Sequence, residues 1–164
     1  MAADVRVFAA DYANPEHMQA VLELLDRYAR DPMGGGEPLS DYARQNLPAA
    51  MMRRESLFSV LAWDRAVGPV GLVNCVEGFS TFACKPLVNV HDVVVLASHR
   101  GQGLATHMLQ LVAQIGRGRG ACKLTLEVLS GNTFAISAYR RFGFENYQLD
   151  PKVGQALFMQ KWLD

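Results

Sequence analysis

Residues 87–117 constrain the fold of this 164-residue chain more than any other segment, because they join a strand pattern to a helix pattern. The first part is a nearly continuous aliphatic run, typical of a strand: Val88, Val90, Val93, Val94, Val95 and Leu96. The second part repeats apolar residues at spacings of three and four, typical of one helical face: Leu104, Met108, Leu111, Val112 and Ile115. Together with the other segments, this predicts an α/β (α+β) fold.

The turn between this strand and this helix is the first candidate site. Arg100-Gly101-Gln102-Gly103 lies where the first turn of the helix leaves backbone N–H groups without partners. Glycines let a ligand approach those groups, and the helix dipole and the Arg100 charge favour an anion. A tight turn that needs glycine only for its dihedrals explains the same residues, and the tetrapeptide alone does not separate the two interpretations.

Two nucleotide-binding motifs do not fit this turn. A P-loop requires Lys-Ser/Thr after its last glycine, and this chain has Leu104-Ala105. A dinucleotide fingerprint requires a glycine three residues after Gly103, and this chain has Thr106. The glycine-rich residues 116–120 follow a helix and indicate where that helix ends.

The other segments alternate between strand and helix patterns. We expect strands over residues 5–10, 57–63, 69–76, 123–128 and 156–163. We expect helices over residues 15–30, over 40–55 with an interruption near Pro48, and from Asn132 to Phe142. Residues 34–36 indicate a loop that could be a substrate-side lid or a plain surface loop, and residues 78–86 indicate a connection.

Composition limits the number of domains and the class of partner. The length predicts a single domain over residues 1–164, and 16 basic against 16 acidic residues argue against a nucleic-acid partner. No apolar run reaches the roughly 20 residues of a membrane span, so we expect no membrane partner. Three cysteines without a C-x-x-C pair, and no signal-peptide pattern, predict a cytoplasmic protein with free thiols. The four histidines show no ligand spacing with them, so we expect no metal.

A second motif lies at residues 132–144. Taken singly, Asn132 is a helix N-cap, Tyr139 is a core or interface residue, and Phe142-Gly143-Phe144 is a helix end. Taken with the first motif, the pattern Asn-x-x-Ala-x-x-x-Tyr-x-x-x-Gly-Phe, starting at Asn132, resembles the second conserved block of the GNAT N-acetyltransferase superfamily. Arg100-x-x-Gly103-x-Ala105 resembles the pyrophosphate-binding motif of the same superfamily.

This resemblance covers about residues 58–163 and implies a fold, a co-substrate and an assembly. The fold would be a central mixed, mostly antiparallel sheet of six to seven strands flanked by about four helices. Acetyl-CoA would donate its acetyl group directly to a primary amine, and the protein would be a homodimer. Residues 156–159 could form the dimer contact, although the same apolar stretch suits an internal core strand.

Within the superfamily, residues 79–86 and 89–95 resemble the diamine (spermidine/spermine) acetyltransferase branch. Those enzymes place an acidic pair at the end of the equivalent strand, whereas here His91 replaces the first acid and Asp92 is retained. The expected acceptor is therefore a small amine: a polyamine, a diamine or a lysine-like amino acid. Acetylation of a protein lysine or N-terminus, and an acetyl-CoA sensor without turnover, are the alternatives.

The resemblance also implies roles for single residues. Tyr139 would be the general acid that protonates the departing thiolate, and the backbone of Val93, Val94 and Val95 would bind the pantetheine arm as an added strand. The pyrophosphate would be held by a run of seven residues: Arg100, Gly101, Gln102, Gly103, Leu104, Ala105 and Thr106. Asn132 and Ala135 would contact the cofactor near the thiol.

The identity of the general base is left open by the sequence. His91 is favoured because histidine titrates near neutral pH, while Asp92 or Glu127 could act through a water or bind a cationic substrate. Strand alternation places His91 and Asp92 on opposite faces unless a β-bulge intervenes. His99 is expected to be a solvated loop residue, and His107 is expected on a polar helix face without a role.

Overall fold

The computed structural model describes residues 4–148 and 150–163, in two compact units that meet in sequence between Leu126 and Glu127. The described part of the first unit contains β1 (Val5–Ala9), α1 (Pro15–Arg30), α2 (Asp41–Met52), β2 (Leu57–Asp64), β3 (Gly68–Ser80), β4 (Lys85–Val95), α3 (Leu104–Gly118) and β5 (Leu124–Leu126). The second unit contains α4 (Thr133–Phe142) and a turn of 3-10 helix, Pro151–Val153. A single domain over residues 1–164 stays a prediction.

The described strands form one five-stranded sheet in the order β1-β2-β3-β4-β5. The first four strands pair antiparallel, while β5 pairs parallel to β4 because α3 carries the chain back between them. The prediction of a mixed, mostly antiparallel sheet with about four helices is confirmed. The strand count of six to seven was too high for the described residues, because residues 156–163 form no strand there.

One face of the sheet is covered by α1. This helix begins at Pro15, and the side chain of the preceding Asn14 accepts the N–H groups of Glu16 and His17. Its apolar face packs with Met51 of α2 against the sheet, in a cluster that contains Met18, Ala20, Val21, Leu24, Leu61, Leu72 and Val94. We call the side of the sheet that carries this cluster the α1 face.

The opposite face of the sheet is covered by α3. Of the predicted apolar face, Leu104, Met108 and Val112 are buried, while Leu111 and Ile115 are partly exposed; Leu109 is buried in addition. Gly71 permits the close approach, because a Cβ there would lie 3.0 Å from Met108 Cε and 3.1 Å from Ala62 Cβ. The helix that begins with the candidate anion site is therefore fixed against the centre of the sheet.

A β-bulge interrupts β4 at His91. Val90 pairs with Cys75 and Asp92 pairs with Asn74, so His91 has no partner residue on β3. The bulge reverses the faces of the strand: Val88 packs beside Gly116 of α3, whereas Val94 belongs to the α1 cluster. With strict alternation these two even-numbered residues would share one face.

Three predicted segments of the first unit differ from the structure. The helix α2 continues through Pro48 without an interruption. The expected connection over residues 78–86 is mostly strand, because β3 and β4 pair as far as Ser80 and Lys85 and leave a four-residue turn. The strand expected over residues 123–128 is shorter, Leu124–Leu126.

The second unit contains the helix that the sequence predicted after Asn132. The Asn132 side chain accepts the N–H of Ala135, and Gly143 ends the helix with φ +111°. The predicted strand over residues 156–163 is wrong: this segment has no regular structure, and five large apolar side chains in it are 78–90% exposed, namely Leu157, Phe158, Met159, Trp162 and Leu163. Within residues 4–148 and 150–163, no helix is long and apolar enough to cross a membrane.

Candidate functional site

The turn before α3 presents a row of unpartnered backbone donors. A single 3-10 turn, Ala97–His99, leads into Arg100, and Gly103 then forms the N-cap of α3 without a side-chain cap. In the part of the chain that the structure describes, the N–H groups of residues 101–106 have no protein acceptor. Because six consecutive donors are left open at a helix N-terminus, the turn fits an anionic group such as a pyrophosphate.

The glycines of this turn are required by their backbone conformation. Gly101 and Gly103 have φ of +76° and +77°, which disfavours residues with a Cβ. Space is not the constraint, because a Cβ on Gly101 would meet no atom within 4 Å and one on Gly103 would lie 3.9 Å from His107 Cε1. The backbone conformation of the turn is thus enough to explain the two glycines, and the open space beside them leaves room for a ligand.

His107 differs from its expected place on a polar helix face. Its Nδ1 atom is buried and has no hydrogen-bond partner among the described residues. Its ring stands next to Gly103. An unpartnered polar atom beside the turn is a second observation that fits a polar ligand there.

The Arg100 side chain is held by protein groups on both sides. Its Nε donates to the carbonyl oxygen of Val95 at 3.0 Å, and a terminal nitrogen lies 3.8 Å from the Asp31 carboxylate. Arg100 therefore connects the turn to the end of β4 and to the loop after α1. A direct contact of Arg100 with the pyrophosphate stays a prediction.

His99 is not a solvated loop residue, which corrects the expectation. Its side chain is 12% exposed, and its Nε2 lies 3.2 Å from the Asp64 carboxylate at the end of β2. The Asp64 carboxylate also accepts the N–H groups of Ala66 and Val67. These backbone bonds, and next the contact with His99, hold the pKa of Asp64 below its ordinary value. The His99–Asp64 contact ties the 3-10 turn to the β2–β3 hairpin.

Asp64→Asn is expected to lower the melting temperature at pH 7. Because the folded-state pKa of Asp64 is depressed, its carboxylate stabilises the fold above the range in which an unfolded aspartate titrates, about pH 4. That contribution is lost as the pH falls through the lower folded-state pKa. The Tm difference from wild type should therefore narrow below about pH 4, as measured by circular dichroism. The exposed Asp4→Asn is the control, and an equal Tm for Asp64→Asn and wild type at pH 7 would contradict the prediction.

The outer edge of β4 is open where the pantetheine arm was expected. The parallel ladder with β5 covers only Val88–Val90, so no described strand of the first unit pairs with β4 beyond that point. Leu96 donates its N–H to Val70 on the β3 side, and alternation then turns the N–H groups of Val93 and Val95 away from β3. An extended ligand can therefore add to this edge as a strand would.

The bulge brings His91 and Asp92 to the same side of β4. Val88 faces α3, so the next residue, Asn89, lies on the α1 face. The Oδ1 atom of Asn89 accepts a hydrogen bond from His91 Nδ1 at 3.3 Å, which places the His91 side chain on the same face. Asp92 pairs with Asn74 on the same face, where Asn74 Nδ2 donates to Asp92 Oδ2 at 3.0 Å. The β-bulge that the sequence analysis allowed for therefore places both side chains on the α1 face, where strict alternation would have separated them.

The hydrogen bond of His91 defines its tautomer. An amide oxygen only accepts, so His91 Nδ1 carries the proton and Nε2 keeps its lone pair in the neutral ring. Asn89 is itself placed by Thr125 of β5, to which its Nδ2 donates at 3.1 Å. In that tautomer the Nε2 atom of the exposed His91 can accept a proton, and its role as general base stays a prediction.

The other sequence-predicted residues lie in the second unit. Asn132 caps α4: its side-chain oxygen accepts the N–H of Ala135, so both groups are engaged in a hydrogen bond within the protein. Tyr139 is half-buried on α4, with its ring 5.9 Å from that of Phe144 in an edge-on arrangement. Glu127 is exposed. The roles of Asn132, Ala135, Tyr139 and Glu127 at a cofactor or substrate stay predictions.

Cysteine and metal chemistry have no evident place in the described residues. Cys75 is buried, which raises the pKa of its thiol to about 12, while Cys84 and Cys122 are exposed free thiols. Within the described ranges, no three His, Cys, Asp or Glu side chains are grouped as a metal site. The sequence also contained no signal for Asn74, Ser59 and Tyr12, because strand register pairs Ser59 with Asn74 and Asn74 with Asp92, while Tyr12 contacts Ser59 from the loop after β1.

Comparison with known proteins agrees with the two sequence motifs. The model of the Acetyltransferase (GNAT) family matches residues 18–144. The streptothricin acetyltransferase of Streptomyces lavendulae is 37% identical over 90 residues, which are 55% of this chain and 48% of that protein. The chain thus matches about half the length of this relative.

Two solved structures share the fold over nearly the whole chain. A probable acetyltransferase superposes with a TM-score of 0.79 at 22% identity, covering 97% of this chain and 99% of the other. The aminoglycoside N-acetyltransferase AAC(6')-Iy, in complex with the bisubstrate analogue CoA-S-monomethyl-acetylneamine, superposes with a TM-score of 0.76 at 18% identity, covering 98% and 100%. At these identities the likeness is one of fold.

Proposed function

The chain belongs to the GNAT acetyltransferase family, and we propose that it transfers the acetyl group of acetyl-CoA directly to a primary amine of a small molecule. The observation that carries this proposal is the row of open N–H groups at residues 101–106, next to the unpaired edge of β4. The turn would hold the pyrophosphate, and the edge at Val93 and Val95 would hold the pantetheine arm. Acetyl-CoA supplies the activated thioester.

The chemical difficulty on the acceptor side is the proton. An alkyl amine has a pKa of about 10.4, so roughly one molecule in two thousand is nucleophilic at neutral pH. His91 is the proposed base, because its Nε2 lone pair is free to take this proton when Nδ1 donates to Asn89. Tyr139 is the proposed acid for the departing thiolate, and a β4 N–H would stabilise the developing oxyanion.

The proposed acceptor is a small cationic amine. Asp92 supplies a negative charge on the α1 face beside His91, and the sheet there is lined with aromatic and aliphatic side chains. Among its relatives, the streptothricin acetyltransferase acts on streptothricin, and the mouse thialysine N-epsilon-acetyltransferase acts on thialysine. Diamines and polyamines are the members of this class that the sequence resemblance favours.

A substrate panel tests the proposal. Thiol release from acetyl-CoA should appear with at least one class among polyamines, diamines, lysine and thialysine, aminoglycosides and streptothricin. Short peptides in the same panel test the protein-acetylation alternative. Acetyl-CoA binding without thiol release from any acceptor would instead favour the sensor.

His91→Ala is expected to lower kcat/KM about 100-fold and to remove the acidic limb that a general base gives to the pH–rate profile. Asn89→Asp is the informative partner variant, because a carboxylate beside the imidazole favours its protonated form and should shift the acidic limb to higher pH. Both profiles are measured as kcat/KM against pH. An acidic limb that is the same in wild type and both variants would exclude His91 as the base.

We further propose that the protein is a homodimer that uses the apolar segment at residues 156–163. The large apolar side chains of this segment are exposed in the single chain, which supports an intermolecular contact over an internal core strand. Sedimentation of wild type and of a Phe158→Ser, Trp162→Ser variant tests this. A wild-type monomer would contradict it.

A further inference from the structure

Four polar side chains form a continuous hydrogen-bonded row across the α1 face. The Tyr12 hydroxyl lies 2.7 Å from Ser59 Oγ, Ser59 Oγ lies 2.6 Å from Asn74 Oδ1, and Asn74 Nδ2 lies 3.0 Å from Asp92 Oδ2. The row starts after β1 and takes one residue from each of β2, β3 and β4. We call these residues the Asp92 row.

The strand register creates the row. Ser59 pairs directly with Asn74, and Asn74 pairs directly with Asp92. Without the extra residue in β4, Asn74 would pair with His91, because the next pair along is Cys75 with Val90. The same bulge that exposes His91 therefore brings the Asp92 carboxylate to Asn74.

All the donors of the row point toward Asp92. An amide oxygen cannot donate, so the single Ser59 proton goes to Asn74 Oδ1 and the Tyr12 hydroxyl must donate to Ser59. Burial raises the pKa of Tyr12, against a smaller lowering by its bond to Ser59, which keeps the phenol protonated and able to donate. Asn74 Nδ2 then donates to the carboxylate.

The row fixes a carboxylate and does not conduct protons. An amide in the middle of the row donates and accepts at different atoms, so a proton received at Asn74 Oδ1 is not passed on from Nδ2. Ser59 is fully buried, and its hydroxyl is satisfied only through this row among the described contacts. Such a network holds its last member in one orientation.

The surroundings of Asp92 suit a cation. Tyr28, which packs against the α1 cluster, has its pKa raised first by burial and then by the negative charges of Asp92 and Asp31. A carboxylate that is held in one orientation can accept the N–H groups of an alkylammonium in charge-assisted hydrogen bonds.

We propose that Tyr12, Ser59 and Asn74 are positioning residues that hold the Asp92 carboxylate as the binding group for an ammonium of the acceptor. This inference rests on the proposed function, because it assigns the recognition of the amine to named residues of the same site. It also divides the two neighbours on β4: Asp92 binds the cation, while His91 removes the proton.

The test compares Asn74→Leu, Asp92→Asn and the double variant. Leucine has a similar volume but cannot bind either neighbour, so Asn74→Leu should raise the KM for the best amine of the panel about tenfold. Asp92→Asn should raise the same KM about 100-fold, and the double variant should be no worse than Asp92→Asn. The KM for acetyl-CoA should stay within twofold in all three.

A merely structural row gives a different result. Asn74→Leu would then lower Tm without changing the ratio of the two KM values, or its effect would add to that of Asp92→Asn; either outcome overturns the proposal. Ser59→Ala, which keeps Asn74 but removes its donor, gives a second measurement if Asn74→Leu does not fold. It should raise the amine KM in the same direction, and an unchanged amine KM overturns the proposal.

A binding measurement separates this inference from the proposed function. If wild type releases no thiol with any amine, the proposed function fails, and 1,5-diaminopentane is titrated into wild type and Asp92→Asn by calorimetry. If wild type binds 1,5-diaminopentane and Asp92→Asn binds it at least tenfold more weakly, the ammonium site is supported independently of catalysis. Equal binding to both proteins, or no binding to wild type, overturns it.

Discussion

Acetyl-CoA is expected to bind the Gly103→Asp variant about 100-fold more weakly than the Gly103→Asn variant. Both side chains tolerate the positive φ of +77° better than other residues with a Cβ, so the two variants share the same backbone strain. They differ by one negative charge at the row of open N–H groups. At about 5 Å from the pyrophosphate and an effective dielectric constant of about 20, that charge costs about 3 kcal/mol.

Calorimetry with acetyl-CoA measures this pair of variants directly. Gly103→Asn reports the effect of the side chain and the strain, and dephospho-CoA added to both variants reports how much of the effect comes from the ribose phosphate. Melting temperatures of the two variants should agree within a few degrees. Equal affinities for acetyl-CoA would show that the phosphates bind elsewhere, and the proposed pyrophosphate site at residues 101–106 would be wrong.

Tyr139→Phe is expected to lower kcat about 100-fold or more while the Kd of acetyl-CoA stays within twofold. The substitution removes one hydroxyl from the half-buried ring and keeps the edge-on contact with Phe144, so the packing of α4 is preserved. Loss of a positioned general acid typically costs 10²–10⁴ in rate.

Tyr42→Phe is the matched control for this variant. Tyr42 lies on α2 with 77% of its surface exposed, and it is not one of the residues predicted for the site. Loss of its hydroxyl should therefore leave kcat unchanged. A Tyr139→Phe enzyme with the kcat of wild type would remove Tyr139 from the mechanism. A loss in both variants would point to a general effect of the substitution.

The turn before α3 is fastened at two points that the sequence did not predict. His99 reaches Asp64 on the β2–β3 hairpin, and Arg100 reaches Val95 and Asp31. The unpartnered N–H groups at residues 101–106 thus belong to a segment whose position is fixed before a ligand binds. Such preorganisation lowers the entropy that ligand binding would otherwise cost.

Sequence alone determined the features that depend on near neighbours along the chain. The valine-rich strand, the helix after Gly103, the caps Asn14 and Asn132 and the helix end at Gly143 all follow from residues within about four positions of one another. The open donors at residues 103–106 belong to this class, because the start of any helix leaves its first four N–H groups without intrahelical partners.

Tertiary structure alone decided which distant side chains meet. The bulge at His91 lets Asn74 pair with Asp92, 18 positions away along the chain. The contact of His99 with Asp64 joins residues 35 positions apart, and the contact of Tyr12 with Ser59 joins residues 47 positions apart. The expected strand at residues 156–163 is the converse case, since this apolar segment forms no strand pairing in the described structure. Strand register is set by the packing of whole elements, and a shift of one residue exchanges the two faces of a strand, so no local pattern could have given the Asp92 row.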